Sequence, residues 1–147
     1  MSHILIAGLG DLGRGLAENL LAAGHRVSGI RRGSDAPSGV DLYSQDLLDG
    51  ARLLLIGESH TDMESHRVQL AVIRSLVESG REVMIGLEMY PYTEQQYLDQ
   101  WIGGMLTEKG FVELSRWYKN WGYNWGYYRD VFAYARQHQV PMVAVNT

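Results

Sequence analysis

The sequence contains no cysteine, only three prolines and only two lysines, Lys109 and Lys119. Without a thiol, neither a disulfide framework nor a thiolate metal site can form, so any metal must be held by His, Asp, Glu or Tyr. No apolar stretch approaches the roughly 20 residues that cross a bilayer, and no internal repeat recurs at a useful period. Thirteen basic against 17 acidic residues give a formal charge of −4, with no run of like sign, which argues against a non-specific nucleic-acid surface. The opening MSHILIAGLG has no basic segment ahead of its apolar run. It therefore reads as the start of a mature, soluble chain, cytoplasmic as expressed and without a membrane partner. What is present is 147 residues, 46% apolar and 20% charged, about one globular domain and not a disordered tail.

Short β-branched runs alternate with helical spacing. The predicted strands are Ile4 to Ala7, Val27 to Ile30, a short piece at Leu42 and Tyr43, Leu53 to Ile56, Val83 to Leu87 and Met142 to Val145. Leu12, Leu16, Ala17, Leu20 and Leu21 recur at spacings of three and four, as do Leu70, Ile73, Leu76 and Val77, and later Tyr128, Val131, Phe132 and Ala135. Gly24 and Gly80 stand where helix C-caps belong. A βαβ alternation with near-continuous apolar strands implies an α/β fold: a three-layer, doubly wound, mainly parallel sheet of expected order 3-2-1-4-5-6. The link from Asp46 to Arg52 is short for a parallel crossover, so the third strand is expected to be vestigial or absent.

Gly8, Gly10 and Gly13 form G-x-G-x-x-G after a predicted strand and before an amphipathic helix, the context in which this pattern cradles a pyrophosphate. Where an acidic residue would bond a ribose 2′-hydroxyl, the sequence has Arg31 and Arg32, which favour the 2′-phosphate of NADP. The other reading is that these glycines serve only close strand-to-helix packing. Residues 3 to about 48 resemble the Rossmann-like opening of an NADP-binding epimerase of the extended short-chain dehydrogenase type. That chemistry uses Tyr-x-x-x-Lys, and neither lysine here has a Tyr four residues before it, so oxidoreductase activity is not implied.

Gly57-Glu58-Ser59-His60 follows the fourth predicted strand, and Glu88-Met89-Tyr90 follows the fifth. The carboxyl edge of a parallel sheet is where ligands bind, so Glu58, His60 and Glu88 are expected to gather there as metal ligands or as general acid and base, with His66 offering another nitrogen. Alternatively the two carboxylates cap the helices that follow. The aromatic run Trp117, Tyr118, Trp121, Tyr123, Trp125, Tyr127 and Tyr128 either forms a ligand platform or buries apolar area in the core. His3, His25 and His138 read as structural.

The segments GESHTDMESHRVQL, IGLEMYPYTEQQYLDQWIGG and RWYKNWGYNWGYYRDVFAYARQHQVPMVAVNT, in that order, resemble the ChaN-like haem-binding lipoproteins of the Tiki superfamily over about residues 51 to 147. The resemblance implies haem or iron handling. It equally allows a divalent-metal site, with Glu58, His60 and Glu88 at the family's G-E-x-H and E-M positions and Tyr90 or His66 as candidate haem ligands. It also implies a lipoprotein leader, and a further segment after Asn146-Thr147 that helps complete the ligand site.

Residues 1–48 and 51–147 thus read as two segments of one α/β domain joined at about 46–52. The expected product is a recombined or engineered, chimeric domain without an intact catalytic apparatus, retaining weak NADP or nucleotide binding. The alternatives are haem or metal binding at the GESH and EMY positions and, last, metal-dependent hydrolysis. The expected partner is a small molecule or none, and uncovered edges make a homodimer plausible on physical grounds.

Overall fold

A computed structural model describes residues 3–7, 11–24, 26–30, 41–42 and 53–146. The chain is a mixed α/β protein that divides into two compact units, Met1–Ser59 and His60–Thr147.

In the first unit, β1 (His3–Ala7), β2 (Arg26–Ile30), β3 (Asp41–Leu42) and β4 (Leu53–Ile56) form a parallel sheet of order β3-β2-β1-β4. β1 is central, running beside β2 from His3↔Arg26 to Ala7↔Ile30 and beside β4 from Ile4↔Leu53 to Ala7↔Ile56. The third strand is reduced to two residues paired with Ser28 and Gly29, in keeping with the short segment left for a crossover. The helix α1 (Asp11–Ala22) connects β1 to β2. It stops at Gly24, whose φ of +80° suits a residue without Cβ and whose N–H donates to the Leu21 carbonyl at 2.9 Å.

The second unit opens with α2 (Met63–Glu78). Asp62, extended at φ −89° and ψ 107°, caps it by accepting from the backbone N–H groups of Glu64 and Ser65 at 3.2 and 3.3 Å. Gly80, at φ +78°, ends it. β5 (Ile85–Pro91) leads through a 3₁₀ turn at Tyr92–Glu94 into α3 (Gln95–Ile102), α4 (Glu108–Leu114) and α5 (Trp117–Asn120). A second 3₁₀ turn at Trp125–Tyr127, α6 (Arg129–Gln137) and β6 (Met142–Asn146) follow. β5 and β6 pair in parallel from Ile85↔Met142. The other edge of β6 is covered by the Gln95 amide, which donates to the Met142 carbonyl and accepts from the Ala144 N–H, both at 2.8 Å. A side chain thus satisfies ladder groups that another strand would otherwise occupy.

Two expectations need correction. The described strands pair in sheets of four and of two, and the β4–β5 pairing that one sheet of order 3-2-1-4-5-6 requires is not found among the described residues. The fifth strand starts at Ile85 and runs on to Pro91, so Glu88, Met89 and Tyr90 lie within it and not after its end. Register with β6 sets that start, and the burial alternates: Leu87 and Met89 are buried while Gly86 and Glu88 are exposed.

The core of the second unit is aromatic. Tyr90, Trp101, Phe111, Trp117, Trp125, Tyr128 and Phe132 pack together with Leu98, Met142 and Ala144. Ring pairs such as Trp117 and Trp125, 5.0 Å apart at 81°, meet edge to face. The buried indoles of Trp101, Trp117 and Trp125 each donate, to the Phe132 carbonyl, the Tyr123 carbonyl and Glu108 Oε1 respectively, at 2.7–2.9 Å. Among the described residues no helix is long and apolar enough to cross a membrane.

Candidate functional site

The start of α2 organises the best-defined group of polar and aromatic side chains in the second unit. His60 occupies the turn before the Asp62 cap, and His66 lies one turn into the helix. His66 Nε2 donates to the His60 carbonyl at 3.0 Å, tying the turn to the helix, while Nδ1 faces the Gln69 side-chain oxygen at 3.3 Å. His66 is 4% exposed. Its ring stacks on Tyr127 at 5.9 Å and meets Tyr128 edge-on at 4.5 Å.

His60 is half-buried. Its ring lies 4.7 Å from that of Trp121 and 4.6 Å from that of Tyr123, both on the segment between α5 and the second 3₁₀ turn. The Trp121 indole Nε1 is buried and has no hydrogen-bond partner among the described residues. An indole N–H can only donate, so an unmatched one inside the protein asks for an acceptor.

The other expected site residues have the following surroundings. Tyr90 is fully buried, with its hydroxyl paired to Ser115 Oγ at 2.9 Å and with Phe111, Trp117 and Phe132 around its ring. That burial pushes its phenol well above the ordinary tyrosine range, against the hydrogen bond from Ser115. Glu88 is exposed on β5, and its backbone carbonyl accepts from Asn146 Nδ2 at 3.0 Å. Glu58 is half-buried in the stretch after β4. Among the described residues no three His, Asp or Glu side chains form a group able to hold a metal ion.

The capping role considered for Glu58 and Glu88 belongs at α2 to Asp62. An Asp placed directly before the amphipathic run was the available signal. Gly8, Gly10, His25, Arg31 and Arg32 lie outside the described residues, and Gly13 falls in the first turn of α1. His138 stacks on Tyr134 at 4.1 Å, at the C-terminal end of α6, as a structural histidine would. The aromatic run divides: Trp117, Trp125 and Tyr128 are core, Trp121 and Tyr127 half-buried, Tyr118 and Tyr123 exposed.

A family model described as haem-binding uptake, Tiki superfamily, ChaN matches residues 45–147. The chain belongs to this family. The ChaN match takes in β4 and every element of the second unit, including the His60 and His66 turn, β5 and the aromatic run. No curated protein matches the chain. The dinucleotide-binding resemblance of residues 3 to 48 lies almost wholly ahead of the ChaN match, and no comparison supports it.

Proposed function

We propose that this ChaN-like chain binds haem for uptake or transfer, with His60 as the iron-ligating side chain. The observation that carries the reading is the half-buried His60 ring set against Trp121 and Tyr123, beside the unmatched indole N–H of Trp121. Haem needs a nitrogen or oxygen ligand to iron, apolar surface against its ring, and donors for its carboxylates. His60 would supply the first and the Trp121 and Tyr123 rings the second. When bound, haem supplies an iron centre that accepts an imidazole nitrogen.

The two ligands first expected fit the group less well. Both ring nitrogens of His66 face partners inside the protein. Tyr90 is enclosed and held in its neutral form, whereas iron takes a phenolate.

The test is a haemin titration of the whole chain followed in the Soret band. Saturable binding is expected for the parent, with at least a tenfold loss of affinity and an altered band for His60→Ala, while Tyr90→Phe binds like the parent. A parent that does not saturate, or a His60→Ala variant with an unchanged spectrum and affinity, overturns the reading.

A second reading, weak NADP retention by the first unit, is favoured by its β3-β2-β1-β4 order with α1 leaving the central strand, which is the frame the glycine motif requires. An NADPH fluorescence titration tests it, with Gly10→Leu expected to abolish the signal while leaving the haem spectrum unchanged.

A further inference from the structure

An open groove of about 650 Å³ runs along α4 and α5, away from the His60 turn, and is lined by Arg116, Lys119, Tyr118, Val112 and Trp125. Its acids are already engaged. Glu108 Oε1 accepts from Trp125 Nε1 at 2.9 Å, and Glu113 stands 3.8 Å from Lys109 Nζ. Among the described residues neither Arg116 nor Lys119 has an ion-pair partner. With Lys109, the groove gathers three cations against the carboxylates of Glu108 and Glu113, and so is net positive on a chain whose formal charge is −4. Like charges held together are relieved by an anion between them.

The backbone points the same way. Arg116 has φ 51° and ψ 43°, a left-handed conformation that is strained for a side-chain-bearing residue. The residue before it imposes that conformation. Ser115 is fully buried, its hydroxyl bonds that of Tyr90, and its carbonyl accepts from Asn120 Nδ2 at 2.9 Å. The core thus fixes the backbone from which the exposed Arg116 side chain emerges into the groove.

We infer that the groove between α4 and α5 binds a flat aromatic carboxylate, with Arg116 and Lys119 taking the carboxylate and Tyr118 and Val112 covering the ring. The guanidinium fork matches a carboxylate, the 58% exposed ring of Tyr118 gives an accessible face, and the volume accommodates a fused-ring acid. The inference uses no iron and no residue of the His60 group, so it stands or falls apart from the haem reading.

The probe is 2-naphthoate, titrated into the whole chain and followed by tryptophan fluorescence, with the neutral 2-naphthalenemethanol as comparison. The carboxylate is expected to saturate and the alcohol not to. Arg116→Gly removes the guanidinium and also the strain at φ 51°, so it should fold at least as well as the parent by circular dichroism. It should bind 2-naphthoate about tenfold more weakly, as losing a hydrogen bond to a charged group implies. Lys119→Gln should weaken binding in the same direction, and Arg67→Gln, a charge removed on the exposed surface of α2, should leave it unchanged. Equal binding of acid and alcohol, an Arg116→Gly variant that binds like the parent, an equal loss in Arg67→Gln, or no saturable binding at all would each overturn the inference.

Discussion

The two units of this chain differ in their sheets, one of four strands and the other of two. In the first, four short strands lie in parallel about β1. In the second, two strands suffice because seven large aromatic side chains pack in one cluster with Leu98, Met142 and Ala144. Each buried ring of that cluster removes a large apolar surface from water. The second unit therefore concentrates its stability in a few positions, and those positions also hold the loops that carry His60 and Arg116.

The strongest way to break that contrast is Trp117→Ala. This residue is fully buried and its indole anchors the Tyr123 carbonyl. Its loss should cost about 3–5 kcal/mol, read as a shift in the urea midpoint. A loss below about 1 kcal/mol would mean the cluster collapses around the gap and the contrast is misplaced. In the first unit, Ala17→Leu overfills a site with no exposure and should cost about 1–3 kcal/mol. Separate urea transitions for the two variants would sharpen the comparison into independent folding, and one shared transition would remove it.

Tyr90→Phe comes next. It leaves the fully buried Ser115 hydroxyl without its partner, for about 1–2 kcal/mol. It also carries a pH signature. Because burial raises the folded phenol above its ordinary value of 10.0, its contribution is fully present below about pH 10 and is lost as pH climbs further. There the unfolded chain ionises first while the folded one stays neutral. The parent should lose stability above pH 10 more steeply than Tyr90→Phe, and matching pH profiles would contradict the burial of that hydroxyl. The smallest expected effect is at Gly80, where φ of +78° penalises any Cβ although nothing lies within 4 Å of one. Gly80→Ala should cost about 1 kcal/mol by thermal unfolding. A neutral result would place the helix end elsewhere.

Much of the fold is legible in the chain because periodicity reflects backbone geometry directly. The spacing of Leu70, Ile73, Leu76 and Val77 marks α2, the runs at Ile4 and Leu53 mark β1 and β4, and Gly24 and Gly80 mark the two helix ends they serve. The start of β5 is less legible, because the apolar run beginning at Val83 looks like strand while the ladder with β6 begins only at Ile85. The strand also runs on past Leu87 to Pro91 through an irregularity in its ladder, which leaves Glu88 exposed and Tyr90 in the core although the two are two residues apart. A local pattern does not carry this information, since register depends on a partner more than 50 residues away.

The sequence by itself determined the parallel α/β character, the family to which residues 45–147 belong and the absence of thiol chemistry. These follow from composition, spacing and ordered motifs, which need no knowledge of what lies across the fold. Only the tertiary structure decided which tyrosine is enclosed, which histidine is tied at both nitrogens, which indole lacks a partner among the described residues and which arginine is strained. Tyr90 and Tyr118 are the same residue type, yet one is fully buried and the other 58% exposed. Exposure and hydrogen-bond partnership depend on packing between distant segments, and that packing decides which groups can meet a ligand.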